Sequence, residues 1–166
     1  MLIVHATKKL AQRLGGFSDL DPNDARAPAL GAWYATAVFW KPQVALFVSE
    51  ATLLPVLVPL APTTTLLTRF PTALTEMLNG QGVPAEFIRD EVVMLTDARC
   101  FPTANRSLIG VMNEYVHLAE HARHIETGPA DLPTMSGWLA QVPLSPLDKR
   151  HGSSDRELAA LVASVG

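Results

Sequence analysis

The sequence predicts an α+β fold: a mostly antiparallel sheet of three to five short strands packed against several helices. Three observations lead there. Between residues 32 and 60 three apolar runs, rich in aromatic and β-branched side chains, are separated by turn residues, the pattern of an antiparallel meander. After Pro62 the apolar spacing lengthens to three and four residues, the period of amphipathic helices. With 166 residues and 48% hydrophobic content, the chain has ample core material for a single domain spanning 1–166.

Taken in order, Leu2-Ile3-Val4 is a short apolar run suited to a buried strand. Thr7 stands where it can cap a helix over Lys8–Leu14, with Leu10 and Leu14 on one face and Gly15-Gly16 closing it. Phe17 to Pro28 is rich in Asp, Asn, Ser and Pro and reads as a surface loop. Ala32–Trp40 follows as the first strand of the meander, with a helix over Leu30–Trp40 as its competitor. Lys41-Pro42-Gln43 makes the turn into the strand Val44–Val48. Leu53–Leu60 completes the meander. Pro55 and Pro59 cannot donate to a ladder, which puts this strand at a sheet edge or on a bulge.

Leu66, Leu67, Phe70, Leu74, Met77 and Leu78 then line one helical face ending near Asn79-Gly80. Pro71 is tolerated there in a first turn and otherwise kinks the helix. Pro84 suits the first position of a further helix with Phe87, Ile88 and Val92 inward, and Arg99–Phe101 fits a strand. Asn105 or Ser107 opens a long helix striped by Leu108, Ile109, Met112, Tyr115, Val116 and Ala119. Met135–Val142 and Asp155–Val165 read as helices joined by a Pro/Ser turn region.

The formal net charge of −3 offers no basic domain or stripe, so nucleic acid is not expected as a partner. Short basic clusters occur at Lys8, Lys9 and Arg13 and at Lys149, Arg150 and His151, and solvated surface explains both. A single cysteine, Cys100, excludes an internal disulfide and reads as a small buried hydrophobe in a reducing, cytoplasmic setting. No signal-peptide pattern opens the chain, and Val44–Ala61 is too interrupted to span a membrane. Only 17% of residues are charged, which with three tryptophans points to apolar surface covered in a homodimer.

Several constellations could carry chemistry. Thr103-Ala104-Asn105-Arg106-Ser107 holds ordinary helix-capping residues in Thr103, Asn105 and Ser107. Capping does not call for Arg106, and an arginine beside a helix N-terminus also makes an anion site, with Asn113 two turns along the helix. His117-Leu118-Ala119-Glu120-His121 spells an inverted zinc-protease motif, with His124 on the same face. A solvated helix face explains the same letters, and no metal site is expected. His5, with Lys8 and Lys9, ends the first strand, where ligands gather in α/β sheets. Trp33, Tyr34, Phe39 and Trp40 read as core or interface. Without a glycine-rich phosphate loop or nucleophile signature, no cofactor is expected.

The opening His5-Ala6-Thr7-Lys8-Lys9-Leu10, the segment Leu30–Ala35, the stretch Val44–Pro59 and the block Thr103–Asn113 together carry a resemblance. The chain resembles a bacterial family of small proteins known only as a domain of unknown function. The likeness runs to about Glu120, with Asn105-Arg106-Ser107 and Gly110-Val111-Met112-Asn113 its most specific part. The family often has Asp where this chain has Glu114. The resemblance implies one domain and no activity.

The functional expectation is therefore a small binding or regulatory protein, meeting a protein partner or a small anionic ligand near Arg106. The alternative is a small enzyme acting on a phosphate-bearing or nucleotide-like substrate. There Arg106 would clamp an oxyanion, Lys8 or Lys9 would hold phosphate, and His5 would act as acid or base.

Overall fold

The computed structural model describes residues 1–19, 21, 28–124, 131–147 and 150–165. Residues 20 and 22–27 of the expected surface loop, and Lys149 of the second basic cluster, lie outside the described residues. Among these residues five strands form one sheet: β1 (Leu2–Ala6), β2 (Trp33–Val38), β3 (Val44–Ser49), β4 (Pro55–Pro59) and β5 (Ala98–Pro102), in the order β4-β3-β2-β1-β5. Six α-helices accompany them among the described residues: α1 (Lys8–Arg13), α2 (Leu66–Gly80), α3 (Ala85–Val93), α4 (Arg106–Arg123), α5 (Leu132–Ala140) and α6 (Ser154–Val165).

The α+β class holds, but the sheet is mixed, which corrects the expectation of a mostly antiparallel one. β2, β3 and β4 form the antiparallel meander, whereas β1 pairs in parallel with both β2 and β5. The physical reason is connectivity. Antiparallel neighbours are joined by short turns that leave a local mark in the sequence, while parallel neighbours need helical crossovers that hide the pairing. Here α1 separates β1 from β2, and β5 reaches β1 only after α2 and α3.

Strand alternation divides the core between the two faces. Trp33, Ala35, Phe47 and Val56 point to the face covered by α1, α2, α3 and α6, where Phe70 meets both Trp33 and Phe47. Tyr34, Leu46, Val48 and Leu57 point to the opposite face, covered by α4 and α5. Residues 33–38 are strand, so the competing helix over Leu30–Trp40 does not form.

As the two prolines require, β4 is an edge strand. Its Leu57 N–H donates to the Ser136 hydroxyl of α5 at 3.0 Å, so a side chain occupies part of the open ladder. Pro71 lies beyond the first turn of α2. Pro84 is the N-cap of α3 and not its first helical residue, and α5 begins at Leu132, ahead of the expected Met135, because Asp131 caps it through the Thr134 N–H. Among the described residues, no helix is long and apolar enough to cross a membrane.

Candidate functional site

The parallel strands β1 and β5 end level with one another, Ala6 opposite Pro102. Beyond Ala6 the chain turns to α1, whose Leu10 and Ala11 pack on one face of the sheet. Beyond Pro102 it turns to α4, whose Leu108, Val111 and Met112 pack on the other. Adjacent parallel strands whose following helices diverge to opposite faces leave a crevice at their carboxyl ends, where open α/β sheets bind ligands.

His5 stands next to the end of β1. Register places it between Tyr34 of β2 and Phe101 of β5, all three on the α4 side of the sheet. The imidazole stacks on Tyr34 with ring centroids 4.8 Å apart and lies 6.0 Å from Phe101. Its Nδ1 is 3.1 Å from the Pro102 carbonyl oxygen. A carbonyl can only accept, so Nδ1 carries a proton, and in the neutral tautomer the lone pair lies on Nε2.

The α4 start closes around Tyr34. Asn105 is the N-cap, its Oδ1 accepting from the Leu108 N–H at 3.2 Å. The same side chain interacts with the Tyr34 hydroxyl and favours its ionised form. Burial, reinforced by the charge of Glu50, outweighs that interaction and raises the Tyr34 phenol above its ordinary range. Thr103 does not cap: its hydroxyl is buried without a partner among the described residues. Thr7 occupies the N-cap of α1 but makes no side-chain cap bond, and its hydroxyl meets that of Thr36 at 3.2 Å.

The structure therefore brings together His5 and Asn105 through Tyr34, which strand alternation in the Trp33-Tyr34-Ala35 segment could have flagged. Arg106, Ser107, Asn113, Lys8 and Lys9 are exposed. Among the described residues no hydrogen bond, ion pair or ring contact joins Arg106 or Lys8 to His5. Lys9 turns instead toward the Phe39 ring, 5.7 Å from its centroid. His117, His121 and His124 are exposed on α4, and no group of three metal-ligating side chains comes together among the described residues. Cys100 is buried, and desolvation pushes its thiol up, which makes it a poor nucleophile.

No curated protein matches the sequence, and no solved structure does. A family model described as a domain of unknown function, DUF6933, matches residues 3–157. The chain, from its first strand to the start of its last helix, belongs to the DUF6933 family.

Proposed function

We propose that this is a small binding or regulatory protein that takes a small anionic ligand in the crevice at the ends of β1 and β5. The divergence of α1 and α4 to opposite faces of the sheet beside His5 carries the reading, because open α/β sheets bind ligands where helices diverge in this way. Lys8 and Arg106 are the first residues of the helices that follow the two strands and are exposed, which supplies positive charge on both sides. His5 can accept at Nε2 from a P–OH hydroxyl of the ligand without giving up its bond to Pro102. A cytoplasmic setting suits the single buried thiol.

Inorganic phosphate and a nucleoside monophosphate, titrated against thermal unfolding, test this. A ligand at a hundredfold excess over its Kd adds about 2.7 kcal/mol of stability. The expected result is a rise in Tm that His5→Ala and Arg106→Ala each remove. An unchanged Tm for every anion overturns the reading.

The free Nε2 also favours a second reading, an enzyme using His5 as acid or base on a phosphate-bearing substrate. Release of phosphate from a phosphomonoester, lost in His5→Asn with binding retained, distinguishes it from a binding protein.

A further inference from the structure

We propose that the tip of the β2–β3 turn is a docking surface for a short acidic segment of a partner protein that also carries apolar side chains. Phe39 is 53% exposed there, a large ring standing open at the end of a strand whose neighbours are buried. Cations from separate elements converge on the same few residues. Lys9 of α1 places its Nζ 5.7 Å from the Phe39 centroid. Arg123, in the last turn of α4, lies 4.2 Å over the Trp40 ring. Arg13 donates to the Gln43 side chain at 3.1 Å, and Lys41 sits exposed in the turn itself.

None of these four cations is paired with a carboxylate among the described residues. Carboxylates instead mark the other end of the parallel strands, with Asp97 leading into β5 and Glu50 beside Ala32 at the start of β2. A chain of net charge −3 thus presents a local positive field at one end. Arginine and aromatic side chains are the residues that most often anchor an interface, and charges around them steer the partner. Single-stranded nucleic acid fits less well, because successive bases need a run of open rings. Here Trp40 is 9% exposed and covered by Arg123, which leaves Phe39 alone.

The probe is a short fluorescent peptide of glutamates with interspersed leucines, followed by anisotropy. A glutamine-for-glutamate peptide and an oligothymidylate of equal charge serve as comparisons. The acidic peptide is expected to bind and to weaken by about tenfold from low to physiological salt. Lys41→Glu weakens it by about tenfold and flattens the salt dependence, whereas Phe39→Ser weakens it by about tenfold and leaves the salt dependence intact. Both residues are exposed, so circular dichroism should show the fold unchanged. Equal or tighter binding of the oligothymidylate overturns the proposal. So does equal binding of the glutamine peptide, no binding of the acidic one, or a Lys41→Glu variant that binds like the unaltered chain.

Discussion

The imidazole of His5 lies stacked on the ring of Tyr34, with 4.8 Å between centroids and 19° between planes. Neighbouring parallel strands hold the pair in register. His5→Phe is expected to keep the stack while removing both ring nitrogens. It should therefore retain the stability of the unaltered chain to within about 1 kcal/mol and lose its response to phosphate. Thermal melts with and without phosphate give both values, and a response retained in His5→Phe excludes the imidazole from the site.

Both tyrosines of the chain are held above their ordinary range, chiefly by burial. A phenol whose pKa is higher folded than unfolded stays neutral in the fold after it would ionise in the unfolded chain. Its effect on stability is absent below pH of about 10 and grows destabilising as pH rises beyond it. Spectrophotometric titration should show little phenolate at the ordinary tyrosine midpoint and a steep appearance only as alkali unfolds the protein. A gradual two-tyrosine titration with the fold intact contradicts this.

Leu53 has φ of 60°, a left-handed conformation costly for a branched side chain, and it is 6% exposed. The Tyr115 hydroxyl donates to its carbonyl at 2.8 Å, tying the β3–β4 turn to α4. Tyr115→Phe should cost about 1–3 kcal/mol in urea unfolding, because it leaves that carbonyl buried and short of a donor. A loss below a few tenths of a kcal/mol shows that another donor serves it.

Two buried glutamates should respond to acid in opposite directions. Glu91 accepts from the Ala29 and Leu30 N–H groups at 3.1 and 2.9 Å, yet desolvation outweighs these bonds and raises its pKa. As pH falls through that raised value toward the ordinary one, Glu91 gains a proton more readily folded than unfolded, and stability rises. Glu157 is also desolvated, but the His151 N–H and ring, with Arg150, prevail and lower its pKa. Its contribution is present above the ordinary carboxylate range and is lost as pH falls through the lowered value. Glu157→Gln should therefore flatten acid destabilisation, and Glu91→Gln should steepen it. Denaturation midpoints across the acid range read both slopes against the unaltered chain, and slope changes of the same sign refute the assignment.

Much of the local structure was legible because it is written in short-range periodicity. The apolar run Val44–Val48, the stripe from Leu66 to Leu78 and the Asn105 cap all became the elements their spacing demands. The edge position of β4 also followed locally, from two prolines that lack a ladder donor. The histidine-rich face of α4 is solvated, as its sequence reads, with His117, His121 and His124 exposed.

The sequence by itself determined which segments become strands and helices, because hydrophobic period, caps and breakers act over a turn or two of chain. Only the tertiary structure decided that β1 pairs in parallel with β2 and β5, that α1 and α4 leave for opposite faces, and that His5 meets Tyr34 and Pro102. His5 and Pro102 lie 97 positions apart, and no local rule spans that separation. Their meeting depends on burying both faces of one sheet at once, a condition of the whole chain that no single segment contains.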